Sequence, residues 1–372
     1  MAVTGIDNSA HESESPEPVP TRHSDAGEGV SQKVQVLPPP SGMLRFILAV
    51  AAALVFVVPA SAQVDIMAPF NQDASMDSAR VLAKDLPYAD GDRKRLDIYG
   101  PNEIMETAPV VMFIYGGAWK QGRKEDYQFI GKALAANGFI VVIPDYRLYP
   151  EVTYPEFLED NAQAVKWIED NIEDYGGDRS RFFLAGHSAG AYGAVMLGLE
   201  KSFLNEYKVT MPVKGIAALS GPYDFYPFEY DEVRNVFGQN DNPEGTQPIN
   251  LVAPDRPPMF IASGTSDPIV RVQNSQHFSE KMRAAGDWVT EKYYDGLGHM
   301  DLVFAVGAMW RWRAPVLDDM IAFFTQFGAF PSGAPRQAYT PEAPQGTPDI
   351  QATIAGLDAI LSPMEKPTGP AP

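Results

Sequence analysis

The sequence predicts an α/β protein: a doubly wound, mostly parallel eight-stranded sheet with a small cap insertion at 222–256. Three observations carry this. From residue 86 to 327, short apolar runs alternate with segments of helical period, the pattern of repeated strand–helix–strand units. Several of the strand-like runs are apolar at every position, as strands buried on both faces are. A serine between glycines, Gly186-His187-Ser188-Ala189-Gly190, falls where one such run gives way to a helical stretch.

The elements follow in order. Leu86–Ala89, the turn signal Asp90-Gly91-Asp92 and Arg95–Tyr99 read as an antiparallel hairpin at the sheet edge. Val110–Tyr115 is a buried strand, Tyr127–Asn137 a helix closed by Gly138, and Phe139–Pro144 a second buried strand. Phe157–Tyr175 places Phe157, Ala164, Trp167, Ile168 and Ile172 at helical spacing and stops at Gly176-Gly177. Strand 181–186, helix 189–200, strands 214–220 and 258–263, helix 274–285, strand 289–294 and helix 315–327 complete the alternation. Segment 222–256 is aromatic and polar without a clear period and reads as the cap.

The ends differ from the middle. Residues 1–42 are rich in Ser, Pro, Glu and Gly and bury too little to fold. Residues 43–62 combine a basic Arg45, an uncharged run Phe46–Val58 and the small-residue stretch Pro59-Ala60-Ser61-Ala62. This is the layout of a signal peptide cleaved after Ala62. The expectation is an exported protein, periplasmic or secreted, with Met43 as the true start and the residues before it a gene-model extension. The alternative is a membrane anchor through 44–62, although the apolar run is short against the roughly 20 residues of a membrane span. Residues 63–79 read as a linker, 80–328 as the folded domain, and 329–372 as a Pro/Ala-rich tail. Within the tail, Thr347-Pro348-Asp349 resembles a helix start, and Ile350, Ile354, Leu357 and Leu361 share one helical face, giving a short helix over 348–361.

Composition excludes several chemistries. There is no cysteine, so there is no thiol nucleophile, disulfide framework or thiolate metal site. The formal net charge of −19 repels nucleic acid and anionic lipid, so membrane contact is expected only through the signal or anchor segment. No metal ligand set or phosphate-cradling loop is present, and no cofactor is expected. The oligomeric state is left open.

A serine hydroxyl is a weak nucleophile until a base takes its proton and a third group orients the base. The chain has five histidines. His11 and His23 lie in the head, His187 adjoins the serine and reads as a buried hydrogen-bonded residue, and His277 reads as a solvated helix position. His299, in a glycine-flanked loop after a strand, remains as the general base for Ser188. For this type of elbow the acid falls between serine and histidine in the chain. Asp267, in Gly264-Thr265-Ser266-Asp267-Pro268, follows a strand and fits, with Asp224, Asp295 and Asp301 as rivals and an ordinary Asp-Pro turn as the bland reading. Acyl transfer also needs amides aimed at a developing oxyanion. Ala189 supplies one, and Gly117 and Ala118 in the turn Tyr115-Gly116-Gly117-Ala118-Trp119 supply others. Trp119 and Tyr223 are expected to line the substrate pocket, with core packing the competing reading.

Assembled in this way, residues 80–328 resemble the α/β-hydrolase superfamily. The branch they resemble holds hormone-sensitive-lipase-like esterases, feruloyl-esterase-like enzymes and kynurenine formamidases. Asp145-Tyr146-Arg147-Leu148-Tyr149-Pro150-Glu151 is similar to that branch's D-Y-R-L-x-P-E segment, and Gly186–Gly190 matches its G-H-S-A-G form. The family's oxyanion motif usually begins with histidine, where this chain has Tyr115; a tyrosine hydroxyl is suited to the same supporting bond. The resemblance implies a carboxylesterase with a Ser-Asp-His triad acting on a small-molecule ester, and a structural ion pair for Arg147. Two alternatives stand beside it: a formamide or amide hydrolase of the kynurenine formamidase type, and a non-catalytic binding protein on a hydrolase scaffold.

Overall fold

The computed structural model describes residues 71, 74–103 and 107–330. The head, the 43–62 segment and the tail with its expected helix at 348–361 lie outside the described residues, as does most of the linker.

The described residues form one eight-stranded sheet, β1 (Ala79–Pro87), β2 (Arg95–Pro101), β3 (Ala108–Ile114), β4 (Ile140–Pro144), β5 (Gly177–His187), β6 (Val213–Leu219), β7 (Met259–Gly264) and β8 (Val289–Tyr294), in spatial order 1-2-4-3-5-6-7-8. β1 and β2 pair antiparallel, and β2 runs antiparallel to β4; every other pairing is parallel. β3 and β4 are buried at every position, which is why they read in the sequence as unbroken apolar runs. The helices are α1 (Gln128–Ala136), α2 (Glu156–Asn171), α3 (Ala189–Leu199), α4 (Lys201–Glu206), α5 (Asp231–Phe237), α6 (Gln273–Ala284), α7 (His299–Phe304) and α8 (Val316–Gln326).

The expected order of elements is observed, with local differences. β1 is longer than the expected hairpin arm and carries two register irregularities against β2. The last turn of the expected 157–175 helix tightens to a 3₁₀ turn, Ile172–Tyr175, which ends in the left-handed Gly176. Two short helices, α4 and α7, were not expected. Each is a six-residue element, too brief to declare a period. Between β6 and β7 the chain forms α5 and the 3₁₀ turns Pro243–Thr246 and Pro248–Leu251.

Arg147 makes the ion pair expected of it. Its guanidinium grips both carboxylate oxygens of fully buried Asp160 at 2.8 Å, and Lys94 Nζ reaches the same carboxylate at 3.1 Å. This clamps the segment after β4 onto α2. Asp160→Ala strands two cations and is expected to cost about 3 kcal/mol, read as a lower urea midpoint at unchanged slope. A cost below about 0.5 kcal/mol, the level of an exposed pair, contradicts this.

Candidate active site

Ser188 stands at the junction of β5 and α3. From Phe182 to Leu199 every other residue is buried; Ser188 alone is half-exposed. Its backbone sits at φ 55°, ψ −122°, a region that β-carbon-bearing residues avoid. The contacts around it enforce this. The Ser188 amide donates to Leu219 O at the end of β6 (2.9 Å), and Ser188 O receives the Tyr192 amide of α3 (3.0 Å). A β-carbon on Gly190 would lie 2.0 Å from Ile114 O, so α3 packs against the end of β3 only because that residue is glycine. The hydroxyl therefore sits at a helix N-terminus whose first amides have no partner within the helix.

His299 and Asp267 meet. His299 Nδ1 and Asp267 Oδ2 lie 2.8 Å apart, with side-chain exposures of 2% and 0%. Asp267 Oδ1 also accepts the amides of Ile269 (2.9 Å) and Val270 (2.8 Å). Burial alone would raise this carboxyl; the bonds from His299 and the two amides outweigh it and hold the group below its ordinary value. One Asp267 oxygen thus holds the turn amides and the other faces the His299 ring. His299 is not in a loop as expected; it is the first residue of α7. Asp301 secures that helix start. One of its oxygens accepts the Gly298 amide at 2.9 Å, and the other is paired with Arg313.

The remaining candidates separate cleanly. His277 is exposed, 3.6 Å from Asp224, while Asp295 accepts the Thr265 hydroxyl and Asp301 holds the α7 start, so none of these rivals partners the His299 ring. His187 is buried at 1% exposure, its Nε2 3.1 Å from His299 O and its ring 4.8 Å from that of His299. This contact ties the serine elbow to the histidine helix, so residues from β5, β7 and β8 converge at one end of the sheet, where open α/β sheets bind ligands.

The Tyr115–Trp119 turn follows β3 beside them. Gly117 has φ 133°, Ala118 51° and Trp119 59°, three successive residues at positive φ. A β-carbon on Gly117 would lie 2.1 Å from Gln121 O. Tyr115 supports the turn from below. Its hydroxyl donates to Asp145 (2.7 Å) and receives Arg93 Nη2 (2.7 Å), while Tyr146 donates to Tyr115 O (2.8 Å). Arg93 also reaches Gly122 O (2.7 Å) and Tyr146 O (2.8 Å). The phenol has taken up the supporting bond expected of it, and the missing signal was Arg93, a residue in the hairpin turn with nothing nearby in sequence to mark it. Burial, with Asp145 beside it, pushes the Tyr115 phenol well up, so it stays protonated and donates.

The aromatic expectations divide. Trp119 packs edge-on to Phe237 (4.8 Å) and Tyr192 (5.4 Å), and at 6.2 Å from both Phe225 and Phe157, with 6% exposure. Tyr223 is corrected: it is fully buried, stacks on Phe278 of α6 at 4.6 Å, and its amide is held by Asn274. Its ring is packed in the core. Phe225 and Phe237 take the place beside Trp119.

A strained serine at a strand–helix elbow, beside a buried histidine–carboxylate pair at the carboxyl ends of a mostly parallel sheet, defines the α/β-hydrolase fold. The chain belongs to the BD-FAE family, whose model matches residues 96–282. It is similar to the isoprenylcysteine alpha-carbonyl methylesterase ICME of Arabidopsis thaliana, 29% identical over 266 residues, covering 66% of this chain and 62% of that protein. It is also similar to the esterase LipQ of Mycobacterium tuberculosis, 30% identical over 224 residues, covering 54% and 53%. The chain thus spans about three fifths of the plant protein's length and half of the mycobacterial one's. Among solved structures, a truncated carbohydrate esterase from gut microbiota superposes with a TM-score of 0.59 at 23% identity, covering 68% of this chain and 97% of that one. Esterase B from Lactobacillus rhamnosis superposes at 0.62 and 18% identity, covering 77% and 95%. These two likenesses support the fold.

Proposed function

We propose that this protein is a serine carboxylesterase that works through an acyl-enzyme intermediate. The observation that carries the reading is the buried His299–Asp267 pair at 2.8 Å, next to the elbow that holds a half-exposed, strained Ser188. Relatives named as esterases and a methylesterase support ester chemistry. Ser188 Oγ attacks the ester carbonyl while His299 Nε2 takes its proton. The amides of Gly117, Ala118 and Ala189 receive the oxyanion. Collapse expels the alcohol, which leaves with the proton from His299. Water then attacks the acyl-serine by the same route, releasing the acid and restoring the hydroxyl. Asp267 fixes the ring so that Nδ1 carries hydrogen and Nε2 is free to accept.

The test is hydrolysis of p-nitrophenyl acetate and butyrate, with N-formylkynurenine in parallel to compare formamide cleavage. Ester turnover together with labelling of Ser188 by a fluorophosphonate supports the reading; absence of both overturns it. Gly117→Ala is expected to lower kcat about 10²-fold, because the new β-carbon displaces Gln121 and re-aims the turn amides. Unchanged kcat removes Gly117 from the oxyanion site.

We further propose export, supported by the basic residue, apolar run and small-residue stretch of 43–62. Cell fractionation of the full chain checks it: protein retained in the cytoplasm at full length argues against both cleavage and anchoring.

A further inference from the structure

We infer that His187, the residue preceding the nucleophile, is a positioning residue that holds the His299 backbone in register with Ser188. The inference rests on the serine-hydrolase reading above.

The side chain spans three parts of the site. Its own backbone belongs to the elbow, and its amide neighbour is Ser188. Its Nε2 meets His299 O at 3.1 Å. Its Nδ1 faces the first glycine of the oxyanion turn: a β-carbon on Gly116 would lie 3.1 Å from Nδ1 and 2.9 Å from Ser188 Cβ. A carbonyl oxygen only accepts, so Nε2 is the protonated nitrogen and donates. Nδ1 is buried and has no hydrogen-bond partner among the described residues. The ring is therefore a neutral donor with one direction of use, toward the helix that starts at His299.

Neutrality is itself enforced. Complete burial, then repulsion from His299, push the imidazole down to about 3; the bond to His299 O and the Asp267 carboxylate act the other way and are outweighed. His299 and Asp267 are the titratable neighbours that act on it. A cationic ring 4.8 Å from His299 would oppose the imidazolium that His299 becomes during acyl transfer, and burial prevents this. The start of α7 is also held from within, by Asp301, which accepts the Gly298 amide and pairs with Arg313. His187 supplies the remaining restraint, from the elbow side, on the carbonyl of the base itself. A loosened base swings its Nε2 relative to Ser188 Oγ, and displacements of about 1 Å in such a site cost on the order of 10²-fold in rate.

The experiment compares His187→Leu, His187→Gln and His187→Asn in the full chain by kcat, KM, fluorophosphonate labelling rate and melting temperature. Glutamine carries an amide donor as far as Nε2; asparagine falls short of it; leucine has none. The expected result is a fall in kcat and labelling rate of about 10²-fold for Leu and Asn with KM within about threefold, and recovery by Gln to within about tenfold of the parent. Equal loss in Gln and Asn, or parental kcat in Leu, overturns the inference. Should Leu fail to fold, the Gln–Asn pair decides alone. A parent protein that neither labels nor turns over ester fails the serine-hydrolase reading instead, and the two failures are distinguished by that control.

Discussion

Ser188→Ala is expected to abolish ester hydrolysis, lowering kcat on the order of 10⁵-fold or more, and to leave melting temperature nearly unchanged. The activity follows from chemistry: every bond made and broken passes through that oxygen. The stability follows from geometry. Alanine suffers the same positive φ as serine, and Ser188 is half-exposed with no side-chain capping bond to the helix. A companion substitution isolates the strain. Ser188→Gly adopts φ 55° freely and is expected to gain about 1 kcal/mol while being equally inactive. Steady-state kinetics on p-nitrophenyl butyrate with denaturant unfolding checks both. Residual activity in Ser188→Ala within tenfold of the parent assigns the nucleophile elsewhere, and a less stable Ser188→Gly shows that the elbow is not strained.

Asp267→Asn is expected to lower kcat by about 10⁴-fold in a protein that still folds. The reason lies in the division of labour between its two oxygens. The Ile269 and Val270 amides need an acceptor, so the asparagine carbonyl turns toward them. The NH₂ is then left facing His299 Nδ1 across a gap of about 2.8 Å. A donor there requires Nδ1 to be an acceptor, which moves the ring hydrogen to Nε2 and removes the base from Ser188. Stability changes with pH in a defined sense. The carboxyl is held below its ordinary value of 3.8 in the folded protein. The parent therefore carries stability above pH 3.8 that it loses as pH falls through the folded value, and the variant lacks that contribution. Activity within tenfold of the parent would falsify the assignment of Asp267 as the orienting acid.

Much of this site was legible because it hangs from strand ends. Parallel strands buried on both faces announce themselves as apolar runs, and the residues just after β5, β7 and β8 include Ser188, Asp267 and His299. Chain order and the scarcity of histidine did the rest. What stayed hidden were partners set by long-range packing. Nothing local to Arg93 signals that it will hold Tyr115 and Gly122, and nothing local to Asp301 signals Arg313. The N-terminus of α7 was hidden because a six-residue helix has no period to read. Tyr223 failed for a related reason: composition reports that an aromatic ring is near the site in sequence, whereas the direction of its side chain is decided by Phe278, fifty-five positions away, and by the grip of Asn274 on its amide.

The tight seat of Gly190 against Ile114 has a consequence for the time at which the site comes into being. Its approach is possible only once β3 is already docked beside β5, and the Ser188 amide is held only once β6 has joined. Asp267 and His299 arrive later still, from the last two strands. On the proposed mechanism, no fragment ending before α7 holds both Ser188 and His299, and a chain emerging during synthesis is expected to be inactive until nearly all of the domain has been made. Hydrolytic activity then serves as a reporter of folding: its recovery after dilution from denaturant is expected to track the final packing step rather than the formation of helix.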